Sequence, residues 1–349
     1  MGQPAGSRCT AEEIRFALPD PGHRYTGVRL LQQAGLPRVD FARDDDGVWR
    51  LSLPRPAAWR LEYKLELRHP DGGVEQVCDP HNPRRVGGDF GDSSVLLCPE
   101  YTPPAWLHRP GAPGDRHELT LPVPALHTTL TAQVWSPHEA TDRILLAHDG
   151  TGYDRWAGLT RYSATMIADG VLPPHHVVLL DAPDRLEWYS ASPAYAWALA
   201  ADVLPRLWTA LGGTRPVVGA GASLGALGML HAQRRYPGCF GGLFLQSGSF
   251  FQPRHDRQES GFRRWLRIVR FTGRVRRTTA APAVPTVLTC GTVEENLANN
   301  RDMARWLFRQ GYPAALYEVP DAHTWTAWRD ALDPYLTDLL RRVWPPERH

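Results

Sequence analysis

The sequence predicts a mostly parallel α/β sheet with helices on both faces, preceded by a small all-β sandwich. Three observations carry that expectation. From about Ile14 to Leu97 short alternating segments are broken by turn residues, among them Asp46-Gly47 and Asp71-Gly72, as half-buried antiparallel strands read. Between Tyr101 and Gly114, Pro103, Pro104, Pro110 and Pro113 fix φ repeatedly and remove backbone donors, so no sheet is expected to run through that stretch. Beyond it, short apolar runs alternate with helix-length segments, the grammar of a parallel sheet covered on both faces.

Each element has its own justification. In the first domain Val48 to Leu53 and Trp59 to Leu67 read as strands. In the second of these Trp59, Leu61, Tyr63 and Leu65 share one face at period two, with polar Arg60, Glu62 and Lys64 on the other. That alternation makes Trp59 and Tyr63 core residues rather than a sugar-binding face. Strands are then expected at Ile144 to Ala147, Val177 to Leu180, Val217 to Ala220, Gly242 to Gln246, Thr286 to Thr289 and Ala315 to Val319. Helices are expected at Leu159 to Asp169, Ala194 to Leu211, Leu224 to Tyr236, Asn296 to Gln310 and Trp325 to Val343. The division is therefore residues 1–100 for the sandwich, 101–118 for a proline-rich linker and 119–349 for the α/β domain.

Composition excludes several functions. The chain has 349 residues, with 39 Lys plus Arg against 37 Asp plus Glu and a net charge of +2, which gives no global field for nucleic acid. Its only lysine, Lys64, lies in a strand, so neither a phosphate-binding loop lysine nor a pyridoxal Schiff base is available. Cys9, Cys78, Cys98, Cys239 and Cys290 form no C-x-x-C pair. That pattern fits reduced thiols in a cytoplasmic protein, with no zinc site, no disulfide framework and no cofactor. No run approaches the roughly 18 apolar residues of a membrane span, and Met1 to Glu13 has no signal-peptide character.

The chemistry is concentrated at Gly221-Ala222-Ser223-Leu224-Gly225, between an apolar strand and an amphipathic helix. A G-x-S-x-G there forces the serine into a strained turn that exposes Oγ, and the flanking glycines remove clashing Cβ atoms. The alternative is a plain tight turn in which Ser223 caps the helix. As nucleophile, Ser223 would have the Leu224 N–H beside it to stabilise an oxyanion. In this arrangement the acid and the histidine follow the nucleophile in that order, at the ends of later strands. Of the histidines after Ser223, His231 lies within a helix, His255 in an arginine-rich excursion and His349 at the terminus. His323 directly follows a strand, where a general base belongs. After the preceding strand stand Glu294 and Glu295; Glu294 is favoured as the acid, with Glu295 second, though both could simply favour a helix N-terminus. The second oxyanion donor is expected from His148-Asp149-Gly150-Thr151-Gly152, as the N–H of Gly150 or Thr151, with Asp149 holding the loop.

With these residues in place the chain resembles the enterochelin esterase family, in particular the actinobacterial esterases of the esterase-D-like α/β-hydrolase group. The resemblance rests on His148-Asp149-Gly150, Leu172-Pro173-Pro174 and Asp181-Ala182-Pro183-Asp184-Arg185 running into Glu187-Trp188-Tyr189-Ser190. It continues through Gly221 to Gly225, Ser247-Gly248-Ser249-Phe250-Phe251, Asp321-Ala322-His323 and Trp328-Arg329. In the first domain Asp79-Pro80-His81-Asn82-Pro83 and Ser93-Ser94-Val95-Leu96 are similar to that family's immunoglobulin-like domain. The resemblance implies a cytoplasmic serine esterase that cleaves the lactone bonds of a ferric catecholate siderophore. The sequence departs from the enterobacterial pattern at His148, where an apolar residue is usual, and at Glu294, where relatives carry aspartate.

The substrate so implied is a small, strongly anionic molecule. Arg185, just after the strand Val177 to Leu180, is the first choice to bind it, with Glu187 holding the arginine in place; a surface ion pair is the plain alternative. Phe250 and Phe251 would stack on catechol rings or pack in the core. In the excursion Arg254 to Arg277, Phe262, Trp265, Leu266 and Val269 share one face at helical spacing, which predicts a basic amphipathic helix in the position of a cap. A different acyl ester or thioester, or a binding protein with a vestigial triad, are the competing readings.

Overall fold

The computed structural model describes residues 6–36, 39–214, 216–279 and 282–345. It divides into two compact units.

The first unit comprises Met1–Pro103 with two short segments from late in the chain, Gly291–Glu294 and Val319–Ala327. Its strands are β1 (Ser7–Cys9), β2 (Glu13–Pro19), β3 (Gly27–Gln32), β4 (Ala42–Arg43), β5 (Val48–Pro54), β6 (Arg60–Arg68), β7 (Val74–Val77), β8 (Arg85–Val86) and β9 (Ser93–Leu97). They form two antiparallel sheets, ordered β1-β2-β5-β4 and β3-β6-β9-β8, with β7 on β6. Alternation decides which side chains enter the shared core: Trp49, Leu51 and Leu53 of β5, and Leu61, Tyr63, Leu65 and Leu67 of β6, are buried. Phe16 meets Tyr63 edge-on at 5.0 Å. Two expectations fail here. Trp59 is 42% exposed, one residue ahead of β6, whereas Arg60, assigned by alternation to the polar face, is only 1% exposed. Cys9 and Cys98 are joined in a disulfide, so the cysteines are not all reduced thiols. Such bridges persist chiefly in oxidising compartments, which bears against the cytoplasmic reading of the cysteine pattern.

The second unit is built on one eight-stranded sheet. Its strands are β10 (Gly114–Val123), β11 (Thr128–Pro137), β12 (Ile144–His148), β13 (His176–Leu180), β14 (Val218–Ala222), β15 (Gly242–Gln246), β16 (Thr286–Gly291) and β17 (Ala314–Val319). The order is β10-β11-β13-β12-β14-β15-β16-β17. The hairpin β10–β11 enters antiparallel, and the strands from β13 through β16 are parallel. The helices are α1 (Gly150–Arg155), α2 (Leu159–Ala168), α3 (Arg185–Trp188), α4 (Pro193–Ala198), α5 (Leu204–Leu211), α6 (Leu224–Arg235), α7 (Trp265–Arg277), α8 (Leu297–Arg309), α9 (Trp325–Asp330) and α10 (Thr337–Val343). All six strands expected in the α/β region are present within two residues.

The expected linker is only partly one. Residues 114–118 are the first half of β10, in register from Gly114 opposite Pro137, and Trp106 is buried edge-on against Tyr162 at 5.6 Å. Proline density ends a strand but does not prevent the next from starting immediately. Helix α7 forms as expected: Phe262, Trp265 and Val269 pack against the core, Ile268, Phe271, Thr272 and Val275 are buried beside them, and Leu266 alone of the expected face is 63% exposed. No helix among the described residues is long and apolar enough to cross a membrane.

Three histidines of this unit are buried and neutral. Burial drives His148 and His231 down to about 3 and His175 to about 4. Below an ordinary histidine pKa of about 6.5 the unfolded chain gains protons that the fold refuses, so stability must drop as pH falls from there toward 4. The slope is up to about 1.4 kcal/mol per pH unit for each such histidine. The denaturant midpoint of this unit should accordingly decline steadily from pH 6.5 to 4.5 when followed by tryptophan fluorescence; a flat profile would contradict the buried neutral assignment.

Candidate active site

Ser223 sits between β14 and α6 with φ 55° and ψ −120°, a conformation that L-residues adopt only when their surroundings impose it. The surroundings are explicit. A Cβ on Gly221 would lie 2.5 Å from the carbonyl carbon of Gly225, and one on Gly225 would lie 3.1 Å from the Cβ of His148. The Ser223 N–H donates to Gln246 O at 2.8 Å, and its carbonyl accepts from the Ser249 N–H at 3.1 Å. Its hydroxyl is partly exposed and lies 3.1 Å from the Ser249 hydroxyl. Leu224 opens α6, so its N–H is among those with no partner inside the helix.

Ser249 was not singled out by sequence reasoning, although the run Ser247-Gly248-Ser249 directly after β15 was available as a signal. Asn300 of α8 holds that run: it accepts from the Gly248 N–H at 3.1 Å and donates to the Gly248 carbonyl at 2.9 Å. The Trp328 indole adds a bond to the Ser247 hydroxyl at 3.0 Å.

The loop after β12 is tied down as strongly. Asp149 stands at φ 52° ahead of α1 and takes a two-pronged ion pair from Arg185, at 2.7 and 2.8 Å. Gly150 approaches β13 so closely that a Cβ would lie 2.4 Å from Leu179 Cα. The Thr151 N–H donates to Asp181 at 3.2 Å, which occupies one of the two oxyanion donors expected from this loop. His148, 0% exposed, bonds the Gly225 carbonyl through Nδ1 at 3.0 Å and the Tyr195 hydroxyl through Nε2 at 2.8 Å. Its ring stacks on Tyr189 at 4.2 Å. A neutral ring that donates from Nδ1 and accepts at Nε2 satisfies both bonds, and it explains how a polar residue replaces an apolar one without an unpaired group.

Glu294 and His323 belong to the other unit, in the segments that follow β16 and β17. The structure brings these two together: His323 Nδ1 lies 2.7 Å from Glu294 Oε2. The second carboxylate oxygen accepts from the Gly291 N–H at 2.7 Å, and the Glu294 side chain is 1% exposed. A carboxylate so fixed selects the tautomer with its proton on Nδ1 and leaves Nε2 as a base. Glu295 is exposed and bonded to Gln258, so it is not the partner of the imidazole. His231 is buried against Phe271, and His255 bonds Asp302; His349 lies outside the described residues.

The substrate-binding expectations fare differently. Arg185 is held by Asp149, as described, and not by Glu187. Glu187 instead binds Arg264 and, at 2.5 Å, Arg267, joining α3 to the start of α7. Burial works to raise the Glu187 carboxyl, but the two guanidiniums outweigh it and hold it below the usual range. Phe250 is 0% exposed inside the hydrophobic core, so it is no stacking platform, and Phe251 packs against Phe262 and Trp265. No cluster of metal-ligating side chains occurs among the described residues.

Residues 124–339 match the Esterase family model, described as "Putative esterase". The chain belongs to the Esterase family. No curated protein matches it. Among solved structures this chain is similar in fold to the enterobactin esterase of Shigella flexneri in the presence of enterobactin, with 20% identity and a TM-score of 0.78. That match covers 98% of this chain and 97% of the other. The ferric enterobactin esterase of Salmonella typhimurium matches with 19% identity over 95% of this chain and 93% of its own, TM-score 0.75. A ferulic acid esterase matches with 17% identity over 66% of this chain and 99% of its own, TM-score 0.55.

The close approach at Gly221 yields a direct expectation. In Gly221→Ala the added methyl must open the turn that presents the Ser223 hydroxyl. The rate of phosphonylation by a fluorophosphonate should then drop about 100-fold, as expected of a misplaced reacting group, with the circular dichroism spectrum retained. A folded variant that reacts at the wild-type rate would contradict the assigned geometry.

Proposed function

We propose that this protein is a serine esterase in which Ser223 is the nucleophile, His323 the general base and Glu294 the group that fixes the imidazole. The observation that carries the proposal is a strained, glycine-flanked serine after β14 in a chain whose later strand ends supply a bonded carboxylate–imidazole pair. His323 Nε2 takes the Ser223 proton as Oγ attacks the ester carbonyl. The tetrahedral oxyanion is held by the N–H groups of Leu224 and Gly150, Thr151 being engaged by Asp181. Collapse expels the alcohol, which recovers the proton from His323, and water repeats the sequence on the acyl-enzyme.

The substrate proposed is a catecholate siderophore carrying serine-derived lactone bonds, whose hydrolysis loosens the chelate and frees iron. Support comes from the similarity to enterobactin esterases over 98% of the chain, sandwich included, against 66% for the ferulic acid esterase. The immunoglobulin-like kinship of the sandwich and the kinship to actinobacterial members rest on the sequence motifs. A feruloyl or other acyl ester is the second reading, and the ferulic acid esterase fold favours it.

A fluorophosphonate probe followed by peptide mass spectrometry tests the enzyme class: the label should sit on Ser223 and vanish in Ser223→Ala. Equal labelling of both proteins would overturn the nucleophile. Incubation with a ferric tri-catecholate trilactone should yield the linear trimer, one water heavier, and then dimer and monomer, with one water added to the summed mass per bond cleaved. Turnover of aryl esters with an untouched trilactone would replace the substrate with the second reading.

A further inference from the structure

The segments bearing Glu294 and His323 are built into the packing of the first unit. Ala322, 5% exposed, belongs to the sandwich core, and Val293 packs against it. The residues leading into β6 read both segments by backbone. The Trp59 N–H donates to the Pro320 carbonyl at 2.7 Å, and the Thr292 hydroxyl donates to the Ala57 carbonyl at 2.5 Å. Trp59 is tied in turn to the disulfide, since its carbonyl accepts from the Cys98 N–H at 2.8 Å. Beside these bonds the Arg60 guanidinium makes an ion pair with Asp321, both side chains being almost fully buried at 1% and 8% exposure. Asp321 Oδ1 also accepts from the Ala322 N–H at 2.9 Å, and the Asp321 carbonyl accepts from the Val293 N–H at 3.4 Å. Asp321 thus reaches the histidine segment through its side chain and the glutamate segment through its backbone, two residues before His323.

A buried guanidinium–carboxylate pair is a weak source of stability, because desolvation offsets most of its attraction. What it does supply is a fixed geometry, since the planar fork of arginine accepts few orientations of a carboxylate. We infer that Arg60 is a positioning residue of the esterase reaction: acting through Asp321, it fixes the segment that holds the His323 imidazole on the Glu294 carboxylate. This deepens the proposed function and rests on its assignment of His323 and Glu294. It gives the sandwich a part in the chemistry through the placement of the His323 segment.

The experiment compares wild type with Arg60→Met, Arg60→Lys, Asp321→Asn and the double variant Arg60→Met/Asp321→Asn. An activated aryl ester serves as substrate, well below each protein's melting temperature. The single neutral variants should lose about 10- to 100-fold in kcat, the scale expected of a displaced catalytic group, with KM changed less than about twofold. Arg60→Lys should fall between them and wild type. The double variant should be no worse than either single one, because the two side chains act as one unit. Proton NMR of histidine-labelled protein adds a readout that does not require turnover. The His323 Nδ1 proton, sharp and downfield in wild type, should broaden or move in Arg60→Met while the sandwich core resonances stay. Folded variants with wild-type kcat and an unmoved Nδ1 resonance would overturn the inference. A wild-type protein that turns over no ester and labels equally with Ser223→Ala would instead overturn the proposed function, and the NMR comparison would still decide whether Arg60 holds the imidazole.

Discussion

A serine backbone held at φ 55° is the constraint on which the rest of the α/β unit depends. A non-glycine residue in such a conformation costs on the order of 1–3 kcal/mol, and it persists only where neighbours over-determine it. Here the neighbours are Gly221 and Gly225, which meet with no Cβ between them, and the strand-end groups Gln246 and Ser249, which engage the N–H and carbonyl of Ser223. Asn300, Ser247 and Trp328 then hold the segment that presents Ser249. Each of these contacts is ordinary; together they keep one hydroxyl out of its relaxed position and one helix N-terminus open beside it.

Polar groups around this turn are paired with little slack. His148, Tyr195 and the Gly225 carbonyl form one hydrogen-bonded line that pins α6 to the end of β12. Asp149 and Arg185 brace the loop that follows, and Glu187 fastens α7. In a medium of low dielectric such preorganised groups are worth more than in water, and they need no rearrangement when charge develops. The Glu294 carboxylate obeys the same logic, with one oxygen on Gly291 and the other on His323.

Much of this was legible in the sequence because it is written in local patterns. Apolar runs located the strands of the α/β sheet, and the glycine spacing located Ser223. Strand-end position singled out His323 and narrowed the acid to Glu294 and Glu295, and the bond to His323 Nδ1 decides between them. What was not legible depends on partners distant in the chain. Period-two alternation put Arg60 on a polar face, because nothing near it announces Asp321, 261 residues later. Arg185 could be matched with Glu187 by proximity, but its partner is Asp149. Phe250 could stack on a ligand or pack in the core by sequence alone, and the core claims it. The Cys9–Cys98 bridge closes 89 residues and leaves no spacing signature.

The most direct test of the central claim is a crystal structure of the protein after reaction with a small fluorophosphonate. The account predicts phosphorus bonded to Ser223 Oγ, with the phosphoryl oxygen within about 3 Å of the Leu224 N–H. Phosphorus on any other side chain, or a phosphoryl oxygen turned away from the start of α6, would contradict it.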